Sequence, residues 1–256
     1  MMGRVEARER RLFVSRQFSD RSIHPVAQLT LRTDGASQHF EFTYLESVRE
    51  IPEFTPFLAF PEVDRRYESE TLFPFFENRI MSRNRPDYSS HLRSLDLDLD
   101  AEPFEILART SGHRETDAIE VFPEPERDSL TGDSFCRFFV RGLRYHEGAF
   151  EAAGELKPGM ALMLVPEPSN AVDPTAIIVT DERGRRLGYV PRYLTDFVAN
   201  AMDVCPPDSV RLIVEHIGGN DAGRHVRLMV RFECCWRETK WPFLRSDLRP
   251  IALQRT

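Results

Sequence analysis

Three short blocks in the second half of this 256-residue chain gather side chains able to hold a ligand: Val140-Arg-Gly-Leu-Arg-Tyr145, Glu167-Pro-Ser-Asn-Ala-Val-Asp-Pro174 and Gly184-Arg-Arg-Leu-Gly-Tyr-Val-Pro-Arg192. Between them they offer an aromatic face in Tyr145, a carboxylate acceptor in Asp173 and a guanidinium in Arg144, handles for a flat ring, a hydroxyl donor and an anion. The patterns of common catalysis are missing. There is no Gly-rich phosphate loop with Lys and Ser/Thr, no nucleophile elbow and no His pair at the spacing of a helical metal site. Seven scattered histidines give no Ser, His and acid order. The chain therefore reads as non-enzymatic, with no cofactor.

Metal chemistry fares no better. Cys136, Cys205, Cys234 and Cys235 lack the paired spacing of a zinc site, and adjacent Cys234 and Cys235 belong on opposite faces of one strand, one in a core and one near the surface. Asp96, Asp98 and Asp100 alternate with leucines ahead of a predicted helix, where acidic residues favour the positive end of the helix dipole; they read as a capping and solvating run.

The elements that must position the three blocks follow from periodicity. Phe135 to Arg141, Leu162 to Pro166, Ala176 to Thr180, Arg186 to Val190, Val210 to His216 and His225 to Cys234 read as short strands, and Pro191 to Met202 as a helix with Leu194, Phe197, Val198 and Met202 on one face. Asp181-Glu-Arg-Gly184 and Gly218-Gly-Asn-Asp-Ala-Gly223 supply turns. Six strands and one helix suit a mainly β, OB-like barrel. In the first half, Leu12 to Arg16, Val26 to Arg32, His39 to Leu45 and Ala118 to Phe122 read as strands, and Leu72 to Ile80 and Pro103 to Arg109 as helices, an α+β domain around a small antiparallel sheet.

The segment Pro123 to Asp133, with two prolines, many charges and a glycine, reads as a linker, which places domains at 1–128 and 129–256. The halves differ in charge: residues 1–128 hold 17 Arg against 25 acidic residues, while 129–256 hold 15 Arg and 2 Lys against 16 acidic ones. An acidic first half repels phosphate, so any nucleic-acid contact belongs to the second. With 41% hydrophobic residues the chain has enough apolar material for two cores, and no run approaches the roughly 18 apolar residues of a membrane span. Met1 to Arg16 is charged where a signal peptide is apolar, so a cytoplasmic protein with reduced cysteines and no membrane partner is expected.

The three blocks, in this order between roughly Phe135 and Glu233, resemble the HIRAN domain. The resemblance implies an OB-like barrel that captures the 3′ end of single-stranded DNA. By position in its motifs, Arg144 and Arg192 would hold phosphates, Tyr145 would stack a base, Asn170 would hydrogen-bond the nucleotide, Asp173 would accept the terminal hydroxyl, and the Tyr189 hydroxyl would donate to phosphate. The chain departs from the family pattern at Val172, where a second aromatic is usual, and at Thr175; His146 stands where a second Tyr often follows the first. A lost stacking face is worth about 1–3 kcal/mol, or ten- to a hundredfold in affinity. The residues alone leave a second reading open, in which Asn170 and Asp173 only organise turns and the tyrosines only fill a barrel. Arg183, Arg185 and Arg186 read as a solvated hairpin tip.

Phe40-x-Phe42-x-Tyr44, Leu72-Phe-Pro-Phe-Phe-Glu-Asn78, Pro103-Phe-Glu-Ile-Leu-Ala108 with Gly112, and Asp117 to Pro123 make residues 12–123 resemble the small N-terminal subdomain of HipA-type kinases, without the kinase body. The two resemblances together imply an adaptor that grips DNA ends with residues 129–256 and docks a protein partner, a HipA-type kinase or a DNA-processing enzyme, through residues 1–128. The alternative is an antitoxin-like, protein-binding regulator of such a kinase.

Overall fold

The computed structural model describes residues 8–35, 37–52, 54–114, 117–219, 223–237 and 240–251. Its backbone divides into two compact units, and the chain passes between them repeatedly. The first takes the chain up to Arg83, Ala101–Glu124 and the segment from Pro242 onward; the second takes Asn84–Asp100 and Pro125–Trp241. This differs from consecutive stretches 1–128 and 129–256, because membership is decided by long-range contacts that composition along the chain does not reveal.

The first unit is built on β1 (Arg8–Gln17), β2 (Ile23–Asp34), β3 (Ser37–Tyr44), β4 (Tyr67–Ser69), helix α1 (Pro74–Glu77) and, beyond a segment belonging to the second unit that contains α2 (Tyr88–Ser94), α3 (Pro103–Thr110) and β5 (Ile119–Pro123). The strands form one antiparallel sheet in the order β4-β3-β2-β1-β5. Aromatic packing fills its core: Phe42 and Phe60 stack at 3.8 Å, and the buried Tyr44 hydroxyl donates to the Phe60 carbonyl while accepting from the Phe57 amide. The helix expected over Leu72 to Ile80 shrinks to a single turn behind Pro74, with Phe76 as its buried residue. Glu102 caps α3 by position only; its carboxylate is taken by Arg10 and Gln38.

The second unit contains β6 (Glu126–Arg127), β7 (Asp133–Phe139), α4 (Ala149–Glu155), β8 (Ala161–Pro166), β9 (Ile177–Thr180), β10 (Arg186–Tyr189), α5 (Arg192–Val204), β11 (Arg211–Ile217) and β12 (Leu228–Cys235). Its antiparallel strands order as β10-β9-β8-β11-β12-β7-β6. The expected OB-like barrel is not formed as a closed sheet: among the described residues no ladder joins the two ends. An isolated bridge ties the chain just past β7 to β10, with the Arg141 and Tyr189 amides each donating to the other's carbonyl at 2.9 and 2.8 Å. Helix α5 lays Leu194, Phe197, Val198 and Ala201 into the core, where Phe197 meets Phe232, Trp236 and Trp241.

The stretch Pro123 to Asp133 is not a linker. It ends β5, supplies β6 and closes a β6–β7 hairpin whose turn Asp128 organises by accepting from the Leu130 and Thr131 amides. Such a turn has the same Pro, Asp and Gly composition as a linker, which is why the two look alike in sequence. The middle of the Gly218 to Gly223 turn, residues 220–222, lies outside the described residues. Cys234 is buried and Cys235 partly exposed, as alternation requires. No helix among the described residues is long and apolar enough to cross a membrane, and no group of three or more His, Cys, Asp or Glu among them could hold a metal.

Candidate functional site

The site grows from three turns at one end of the second unit. After β7 the chain enters a 3-10 turn, Leu143–Tyr145, through Gly142 at φ 75°. A methyl group at Gly142 would lie 3.1 Å from the Tyr189 ring and 3.2 Å from the Tyr145 ring, so the missing side chain lets both tyrosines close on the backbone. Gly188, at φ 146°, is under a harder constraint: a Cβ there would sit 2.3 Å from the Arg141 carbonyl oxygen. That crowding belongs to the bridge that carries Tyr189 to the site.

All seven residues singled out by sequence come to this end of the unit, in two linked groups. Arg144 and Tyr145 are exposed; the Arg144 guanidinium lies 4.8 Å from the Tyr145 ring centroid and donates to its hydroxyl at 2.7 Å. His146 tilts against Tyr189 with ring centroids 5.2 Å apart. Its Nε2 is buried without a hydrogen-bond partner, and burial, seconded by the nearby Arg186 charge, holds the imidazole below its ordinary pKa and hence neutral at pH 7.

The second group centres on a residue that sequence reasoning did not single out. Glu167 accepts from Asn170 Nδ2 at 2.7 Å, from the Tyr189 hydroxyl at 3.2 Å and from Arg186. Glu167 opens the same block as Asn170, and a carboxylate three residues before an Asx turn was the available signal. Asn170 is spent on its own loop: Oδ1 accepts the Val172 and Asp173 amides, each at 3.0 Å, and Nδ2 also reaches Tyr189. The turn-organising reading describes these bonds, and both Nδ2 protons already have partners within the domain. The Tyr189 proton is likewise directed at Glu167, not outward.

Asp173 is ringed by donors. Oδ1 accepts the Thr175 amide at 3.0 Å and hydroxyl at 2.6 Å, while Oδ2 accepts Arg192 Nε at 2.7 Å. Burial pushes its carboxyl up, but the Thr175 and Arg192 hydrogen bonds together outweigh that and hold it below the usual carboxylate range. Arg192 is fixed at the first turn of α5, whose apolar face anchors it in the core. A carboxylate offers about four acceptor positions, and three are taken here. One position on Oδ2 remains.

Beside Tyr145 and His146 opens a cleft of about 490 Å³, walled by Glu147, Glu151 and Glu155 on and before α4 and by Arg185 and Arg186 of the β9–β10 hairpin. Arg185 is paired with Asp181 and Glu155, and the exposed Arg186 with Glu167, while Arg183 is exposed at the hairpin tip as expected. The cleft is net acidic. Its net negative charge disfavours phosphate there.

The scan of family models matches the HIRAN domain family over residues 134–217. Those residues are a HIRAN domain. All seven predicted site residues and Glu167 lie within it. Among solved structures the chain is similar to the HIRAN domain of human HLTF, at 22% identity over 39% of this chain and 74% of that one, TM-score 0.31. It is also similar to a protein from Lactobacillus plantarum, at 29% identity over 40% of this chain and 98% of that one, TM-score 0.31. No curated protein matches. None of the matches supports the HipA-type resemblance of residues 12–123, nor with it the reading as a HipA-kinase regulator.

Proposed function

We propose that this protein is a non-catalytic adaptor whose HIRAN domain holds the 3′ end of single-stranded DNA. A HIRAN domain points to nucleic-acid binding, and what supports the finer reading is that the domain carries an exposed aromatic with a guanidinium at its ring, Tyr145 and Arg144, and a carboxylate–guanidinium pair, Asp173 and Arg192, on the loops of the same three motifs. Tyr145, 67% exposed, offers its face to a terminal base. Asp173 takes the terminal hydroxyl on its remaining position, and Arg144 and Arg192 meet the adjoining phosphates. Asn170, Tyr189 and Glu167 shape the pocket without touching the strand. Binding is local and salt-sensitive, because the chain as a whole carries a net charge of -7. In this reading a protein partner is met by residues 1–128.

Fluorescence anisotropy with 5′-labelled single strands tests it. Strands with a free 3′ hydroxyl bind more tightly than the same strands with a 3′ blocking group, and both more tightly than a blunt duplex. Equal binding of free and blocked ends overturns end recognition.

A further inference from the structure

We infer that an apolar patch of the first unit, made by Leu58, Ala59, Pro61, Phe73, Pro74 and Phe75, docks a basic partner segment, one whose large apolar side chains are flanked by Lys or Arg. The inference rests on the reading that the first unit meets a protein, and gives that meeting a place and a chemistry. Leu58 and Ala59 form the corner of a turn closed by the Phe60 amide on the Phe57 carbonyl at 2.8 Å, and Leu58 is fully exposed. A single exposed leucine is ordinary, but this one is held out. The turn cannot roll to tuck it away, because the buried Tyr44 hydroxyl accepts the Phe57 amide at 2.7 Å and donates to the Phe60 carbonyl at 2.8 Å. The Phe57 and Phe60 rings are buried on either side of it.

The surface beside the turn is apolar too. The Phe75 ring lies 5.2 Å from Phe57 and 5.6 Å from Phe60, the Phe73 ring lies 5.2 Å from Phe60, and both are only partly buried. Pro61 and Pro74 are exposed. A contiguous apolar surface on a pinned backbone loses little conformational freedom when it is covered, which favours a partner.

Charge selects the occupant. From Glu46 to Ile80 the chain has eight acidic residues against four arginines. Each of those arginines is already paired: Arg49 with Glu46 and Asp64, Arg65 with Glu62, Arg66 with Glu41 and Arg79 with Asp117. Glu70 and Glu77 are exposed on either side of Phe73, the Glu77 amide donating to the Phe73 carbonyl at 3.0 Å. Such a rim repels a nucleic acid, an acidic peptide or a second copy of this chain, itself at net charge -7, and attracts Lys or Arg placed beside apolar anchors.

A random peptide-display library panned against the full chain, followed by fluorescence anisotropy with the enriched peptide, tests this. Enriched peptides carry Lys or Arg around large apolar residues. Leu58→Ser weakens the peptide by about tenfold or more, as loss of a central anchor does. Glu70→Lys with Glu77→Lys weakens it by about tenfold and flattens its salt dependence. Circular dichroism confirms that the variants are folded. An acidic or uncharged consensus overturns the proposal. A basic peptide that binds Leu58→Ser as well as wild type removes the patch but keeps a protein partner, whereas a selection that enriches nothing removes both.

Discussion

Tyr145 stands 67% exposed with the Arg144 guanidinium over its ring, whereas Tyr189, the other ring that Gly142 touches, is half-buried, packed on His146 and hydrogen-bonded to Glu167 and Asn170. One side of the site is open and the other is locked. The open side makes few contacts the fold needs, so its side chains are left for a ligand. The locked side spends its polar groups on itself, so its residues set geometry and gain little from direct ligand contact. Residue type alone does not separate these roles, because each side has a Tyr beside an Arg, Tyr145 with Arg144 on one and Tyr189 with Arg186 through Glu167 on the other.

The largest test of the division is the frame that holds both sides. Gly188→Ala places a methyl 2.3 Å from the Arg141 carbonyl and 2.8 Å from Val140 at a backbone angle that side chains rarely adopt. The clash and the strained angle together cost about 3 kcal/mol or more, read as a lowered urea midpoint. A loss below about 1 kcal/mol would mean that the bridge adapts and is not a rigid frame.

Two substitutions of similar size separate the sides. Tyr145→Ala lowers single-strand affinity by about 1–3 kcal/mol and moves the unfolding midpoint by less than about 0.5 kcal/mol, as expected of an exposed ring. Glu167→Gln does the reverse. It keeps the volume but sets an amide against three donors, costing about 1–2 kcal/mol of stability, with a smaller effect on binding that follows from displacement of Tyr189. Matching losses on both axes for both variants would erase the distinction.

The sequence-level reading recovered the strands well because β-branched and aromatic residues mark them: Phe40, Phe42 and Tyr44 lie in β3, and Ile177 to Val179 in β9. It did not find α4, whose Ala149-Phe-Glu-Ala-Ala-Gly-Glu155 has small residues on its buried face and so a weak apolar period. At the site, the residue types marked the loops that matter, but the bonds that occupy Asn170 and Tyr189 within the domain were not legible. Hydrogen-bond partners 19 and 22 residues apart, Asn170 with Tyr189 and Glu167 with Tyr189, are set by how β10 meets the loop after β8, which no local pattern encodes. The same holds for Asp173 and Arg192, also 19 residues apart.

The smallest expected effect concerns Val172, which is 61% exposed in the Asx turn between Asn170 and Asp173. Its amide is fixed by Asn170 Oδ1, so the backbone is already in place and only the side chain limits what the turn offers. Val172→Tyr adds a second aromatic face at a position solvent already reaches, and little packing is disturbed. Affinity for a free 3′ end rises by about 1 kcal/mol, the lower end of the stacking range, because the new ring has no partner side chain holding it edge-on and loses rotamer freedom when a base docks. Stability is unchanged. The gain should vanish in the Tyr145→Ala background if the two rings clamp one base, and persist there if they stack separate ones. A variant that binds no better than wild type in either background would place the strand away from residues 170–173 and leave Tyr145 and Arg144 as the whole of the open side.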